Sequence, residues 1–151
     1  SYKNALRLAR TETNMAYHTA DHERWKGIDW ILGFEVKLSA QHPVYDICDH
    51  MTGRYPKDFK FIGWHPQCLC YAVPILPTQD EMLDNVMDGK PMANMVEQVP
   101  ESFSRYVEVH REQIGGWANQ PYWVRDNFRG GRIENGLKAV ARTPSPVSAT
   151  A

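Results

Sequence analysis

Apolar positions along this chain follow two rhythms, and the change from one to the other divides it into elements. From Tyr2 the step is three to four residues, with Tyr2, Leu6, Ala9, Thr13, Ala16 and Ala20 forming one stripe. That period predicts an amphipathic helix over residues 1–26, stopping near Gly27. Its opposite side, with Arg7, Arg10, Glu12, Asn14, His18 and Asp21, is expected to meet solvent. From Trp30 the step becomes two. Trp30, Leu32, Phe34, Val36 and Leu38 alternate with mostly smaller or polar residues, which predicts a half-buried strand. Pro43, Gly53, Pro56, Gly63 and Pro66 then punctuate a long loop. Cys68–Val73 reads as a second strand, ended by Pro74 and Pro77, with Cys68 and Cys70 on one face.

The helical period returns further on. Residues 79–88 predict a short helix with Met82, Leu83, Val86 and Met87 as its apolar side. A linker through Lys90-Pro91 leads to Val96 and Val99. Residues 101–114 predict another helix, with Phe103, Tyr106, Val107, His110 and Ile114 on one face. After Gly115-Gly116, the segment Pro121–Asn127 predicts a short helix with proline in its first turn. Residues 143–151 are Pro, Ser, Ala, Thr and Val, a composition expected to stay disordered. There is no internal repeat. The expected fold is therefore α+β over residues 1–142, one domain: a small antiparallel sheet, flanking helices and a Cys/His zinc-stabilised loop. A helix that begins at residue 1 with no leader before it predicts a fragment, or the mature part, of a longer polypeptide.

Size and charge narrow the options. At 151 residues the chain is long enough for one domain with a core and too short for two ordinary ones. A formal net charge of −1 gives no electrostatic case for nucleic-acid binding as the main activity, though a local basic patch stays open. No run of about 18 apolar residues exists, so no membrane span is expected. Three cysteines is an odd number, and Cys68 and Cys70 are too close in sequence for an unstrained bridge. Metal binding or free thiols in a reducing compartment fit better than a disulfide framework.

All three cysteines and three of the six histidines lie between His42 and Cys70. Soft thiolates and imidazoles at short spacing are what a tetrahedral zinc site requires. His65-x-x-Cys68 can place two ligands on one turn, and His42 and Cys48 can supply a second pair. Cys70 rivals Cys68. The candidate ligands are thus His42, Cys48, His65, Cys68 and Cys70, and a fully liganded zinc would be structural, pinning the loop onto the following strand. The alternative, buried hydrophobe-like cysteines and surface histidines, stays open. His50, beside Asp49, reads as solvated, and His18, His22 and His110 as ordinary helix residues. Asp46, Asp49 and His50 also allow a hydrolytic or nuclease centre to be drawn. A His-Asn-His type nuclease needs further Asn and His residues on a following helix, and residues 79–90 hold Asn85 but no histidine. No phosphate-binding glycine loop and no Ser/His/Asp arrangement is present. The five tryptophans read as core and interface residues.

The order of these elements resembles a known family. A helix containing Ala9-Arg10-Thr11-Glu12-Thr13-Asn14 precedes a strand, then Cys48-Asp49-x-x-x-Gly53-x-x-Pro56, then His65-Pro66-x-Cys68-x-Cys70 running into a strand. That order is similar to the phage Mu F-type minor head proteins, also called head morphogenesis proteins. The stretch from Val99 to Asn127 resembles the C-terminal region of a prophage-carried subset, so the likeness covers residues 5–127. Tyr45 stands where many members have the first Cys of Cys-Pro-x-Cys, with His42 as the natural substitute ligand, and the family's N-terminal region is missing.

The resemblance implies a minor structural protein of a tailed-phage capsid, acting in head assembly with the portal and other head proteins and including DNA contact among its options. It would then reside in the virion and the bacterial host cytoplasm. It does not imply catalysis, and no residue stands out as an active-site base or nucleophile. Arg7, Arg10 and Glu12 become candidate contact or ion-pair residues, with a solvated helix face as the alternative. Two rivals remain: a metal-dependent nuclease or hydrolase, and the carrier module of a phage-derived toxin.

Overall fold

A computed structural model describes residues 1–138. In chain order the elements are α1 (Tyr2–Lys26), β1 (Gly33–Lys37), α2 (Ile47–His50), β2 (Gly53–Tyr55), β3 (Tyr71–Ile75), α3 (Gln79–Asp88), α4 (Glu101–Gly115) and α5 (Tyr122–Asn127). Two short 3-10 turns, Arg129–Gly131 and Ile133–Asn135, follow. The strands form one antiparallel sheet in the order β2-β1-β3. This is the α+β architecture that the alternating rhythms predict.

The alternation is clearest in β1 because it is the central strand. Phe34 and Val36 point into the core while Glu35 and Lys37 do not. Phe34 faces Tyr55 on one side and Pro74 on the other. Two boundaries differ from expectation. β3 begins at Tyr71, so Cys68 and Cys70 lie just ahead of it rather than within it. It also runs through Pro74, which an edge strand tolerates because the missing N–H need not join a ladder. Gly33 opens β1 at φ +155, where a Cβ would lie 2.6 Å from the Tyr55 carbonyl oxygen.

The core packs on the inner side of this sheet. Tyr55, Phe59, Trp64, Phe103 and Trp123 form a continuous aromatic cluster, with ring centroids 4.6 Å apart for Tyr55–Phe59 and 5.8 Å for Phe103–Trp123. α4 contributes its predicted face, burying Phe103, Val107 and Ile114. Buried Asn127 of α5 staples the loop beneath: the Lys60 N–H donates to its Oδ1 (2.7 Å), and its Nδ2 donates to the Lys60 carbonyl (2.8 Å).

Two helices are turned differently from the reading of their sequences. In α1 the stripe from Tyr2 to Ala20 faces solvent, and the one buried residue is His18, assigned above to the outer side. Alanines and threonines offer little apolar area, so the rotation of α1 follows stronger contacts. The His18 ring packs 4.8 Å from Phe61, Trp25 lies 6.1 Å from Phe34, and Asn14 donates to the Cys68 carbonyl. In α3 no residue is buried, and Leu83, Val86 and Met87 are exposed. That helix is held by its ends: Thr78 caps it, Gly89 closes it in the left-handed conformation, and the Glu81 carboxylate accepts from the N–H groups of Ala93 and Asn94. Among the described residues no helix is long and apolar enough to cross a membrane. The tail at 143–151 lies outside the described residues.

Candidate metal centre

Cys48 is presented by α2, a single turn that exists because of its cap. Asp46 accepts from the Cys48 N–H (2.7 Å), and Asp49 reaches back to accept from the Asp46 N–H (2.8 Å), a reciprocal capping box. That bond, with the His42 imidazole beside it, holds the Asp49 carboxyl below its ordinary pKa. Asp49 is thereby committed to the turn.

The other donors come from a knuckle at residues 65–68. The Cys68 N–H returns to the His65 carbonyl at 3.2 Å, and Gln67 between them adopts φ 59, the left-handed region that a non-glycine residue seldom occupies. α1 clamps this turn from outside: the Gln67 N–H donates to Thr11 Oγ1, and Asn14 Nδ2 donates to the Cys68 carbonyl at 2.9 Å. Gly63, at φ +103, lets the chain pass beneath, where a Cβ would sit 3.3 Å from the Cys68 Cβ.

These two pieces bring three donors together. Cys48 Sγ lies 3.1 Å from His65 Nε2 and 3.7 Å from Cys68 Sγ. Cys48, His65 and Cys68 are close enough to hold a metal ion. Cys70 lies beside them, buried and near enough for its thiol to perturb those of Cys48 and Cys68. All three cysteines are buried and reduced, and His65 is half-buried. In a tetrahedron with Zn–S of about 2.3 Å two sulfurs stand about 3.8 Å apart, which matches the Cys48–Cys68 spacing. A sulfur and a nitrogen would stand about 3.6 Å apart, so the His65 ring must swing outward slightly to share an ion with Cys48. His65 Nδ1 is 2.8 Å from the Pro66 carbonyl, a bond that puts the ring proton on Nδ1 and leaves Nε2 free as a ligand.

Electrostatics within the trio favour a first thiolate at Cys68. Hydrogen bonding with the Cys48 sulfur at 3.7 Å, with Cys70 and the Trp64 backbone beside it, holds the Cys68 pKa well below the ordinary thiol value. The same contact pushes the Cys48 thiol up. Tyr122 stands close to the same thiols. Its buried hydroxyl has no hydrogen-bond partner among the described residues, and its pKa is raised by burial and by the nearby Cys68 and Cys48.

The remaining candidates fall around this group rather than in it. His42 turns to the aspartates, with Nε2 3.1 Å from Asp49 Oδ2 and 3.6 Å from Asp46 Oδ1, and makes a second potential group with Asp46 and Cys48. Asp46 bridges the two, 3.4 Å from His65 Nε2. A cavity of about 600 Å³ opens beside them, lined by Arg10, Asn14, His42, Asp46, His65 and Gln67 among others. His50 is half-buried rather than solvated, sharing a 3.1 Å hydrogen bond with the Tyr45 hydroxyl and packing on the Tyr106 ring. The roles of Thr11, Asn14 and Tyr122 left no trace in local spacing, because each acts across more than 50 residues of chain.

No family model, curated protein or solved structure matches this chain.

Proposed function

We propose that this chain is a minor structural protein of a tailed-phage or prophage head, working through protein–protein contacts, with a zinc ion held by Cys48, His65, Cys68 and Cys70. The observation that carries the metal half is the convergence of the His65 imidazole with the buried thiols of Cys48 and Cys68, with buried Cys70 beside them. Three thiolates and an imidazole suit zinc, and four protein ligands leave no position for water, as in structural sites. The ion would tie α2 to the knuckle and to the segment that leads into β3, offsetting the entropy of closing the intervening loop. His42 would act on the site through Asp46 and Asp49 rather than as a ligand.

The head-protein half is supported by the order of the Ala-Arg-Thr-Glu helix, the Cys48 turn and the His-Pro-x-Cys-x-Cys knuckle. The portal and other head proteins are its expected partners, and virion and host cytoplasm its expected locations. Elemental analysis of protein purified without a metal-affinity step tests the site. About one zinc per chain is expected, lost together with stability in Cys48→Ser; folded, metal-free wild type refutes it. Mass spectrometry of purified particles tests the assembly role, and heads that form without the chain would end it.

One observation favours a second reading, a metal-dependent hydrolase. Asp46, His42 and His65 line a cavity wide enough for a small substrate. It predicts turnover of DNA or RNA with Mg²⁺, Mn²⁺ or Zn²⁺ that disappears in Asp46→Asn. The toxin-carrier alternative predicts an immunity gene downstream instead of portal and capsid genes.

A further inference from the structure

Two helices leave apolar stripes in water, and the charges beside those stripes are opposite. On α1, Tyr2, Leu6 and Ala9 are exposed, and Lys3, Arg7 and Arg10 form an exposed basic row next to them. On α3, Leu83, Val86 and Met87 are 50%, 69% and 76% exposed, and Asp80, Asp84 and Asp88 form an exposed acidic row. Among the described residues no ion pair joins the two rows within one chain, and α1 does not pack on α3 to any great extent.

At about 100° of turn per residue, each charged row lies about a quarter-turn from its apolar stripe, and in the same rotational sense in both helices. Stacking the stripes with the helices parallel sends the two rows to opposite sides. Stacking them antiparallel brings the rows to the same side. Lengths agree as well: at about 1.5 Å per residue, Lys3 to Arg10 rises about 10 Å and Asp80 to Asp88 about 12 Å. Antiparallel docking then sets Lys3 against Asp88, Arg7 against Asp84 and Arg10 against Asp80. Asp88 occupies the last turn of α3, where no basic residue accompanies it and the helix dipole disfavours a carboxylate. A basic row from outside relieves that. Lys90 lies 3.3 Å from Asp84, but that pair is exposed and competes weakly.

We infer that α1 of one copy docks antiparallel on α3 of a second copy of this chain. The contact joins two different surfaces, so it closes either as a pair exchanging two such contacts or as a ring. It stands apart from the metal and from any role in a phage head.

Sedimentation of the whole chain tests it. At low salt, wild type is expected above the 17.4 kDa monomer mass. The assembly should dissociate as salt rises from about 0.01 M to about 1 M, which shortens the screening length from about 30 Å to about 3 Å. Arg7→Glu/Arg10→Glu and Asp84→Lys/Asp88→Lys should each weaken association about tenfold or more while keeping wild-type circular dichroism. Both pairs sit at exposed positions, and the lysines suit the last turns of α3. Mixing the two reversed variants should restore association between them. A monomeric wild type at low salt overturns the inference and leaves both faces to a different partner. Variants that associate like wild type, or a mixture that stays monomeric, overturn it equally.

Discussion

Replacing Asn127 tests how the loop beneath the His65–Cys68 knuckle is held. Its amide is 2% exposed and makes three bonds: it accepts from the Lys60 N–H at 2.7 Å and donates to the carbonyls of Lys60 at 2.8 Å and Trp123 at 3.0 Å. At about 1 kcal/mol net for each, Asn127→Ala should cost about 3 kcal/mol, because the Lys60 backbone groups lose their partners inside the fold. For a domain of this length that lowers the melting temperature by about 10 °C. Asn127→Asp sharpens the test, since it changes shape hardly at all. The carboxylate still accepts from Lys60 N–H, but it opposes two carbonyl oxygens and adds a buried charge, so the loss should equal or exceed that of alanine. Urea denaturation followed by tryptophan fluorescence reads both, with the midpoint falling at constant slope. A loss below about 0.5 kcal/mol for Asn127→Asp would refute the staple, because a surface position tolerates such a change.

Gly63→Ala should destabilise by about 2 kcal/mol through its positive φ, and should push on Cys68 enough to weaken metal retention, measured by competition with a chelator. Tyr122→Phe should leave the melting temperature unchanged or raise it, since the hydroxyl is buried with no partner among the described residues; a clear drop would mean that it has one. Glu81 is held below its ordinary pKa by the Asn94 and Ala93 N–H groups, so its anchoring of residues 93–94 is full above the ordinary carboxylate value and fades as pH falls through its lowered one. Amide exchange at Ala93 and Asn94, corrected for intrinsic rate, should quicken over that acid range, and Glu81→Gln should flatten the response.

Period-two alternation located β1 because a central strand must bury one face, and Phe34 and Val36 do so. The same logic located α4 through Phe103, Val107 and Ile114. It failed for α1, whose rotation is set by His18, Trp25 and hydrogen bonds to the knuckle rather than by an apolar stripe. β2 spans three residues and carries no period long enough to read. Within the candidate site, Cys48, His65, Cys68 and Cys70 were legible as chemistry, since short spacing of soft ligands is a local property. That His42 turns to Asp46 and Asp49 was not, because it depends on how α2 is capped.

α1 behaves as a lever with its fulcrum at the knuckle. Its 25 residues make a rod about 37 Å long, and its grip on the body begins at Thr11 and Asn14, so about 15 Å overhangs. A push at the overhanging end would reach Gln67 and Cys68, the turn that carries two of the candidate metal donors. Thiolate–metal bonds there would bear part of that load, and the firmness of the rod's mounting, shared with His18 and Trp25, would depend on an ion that it never touches.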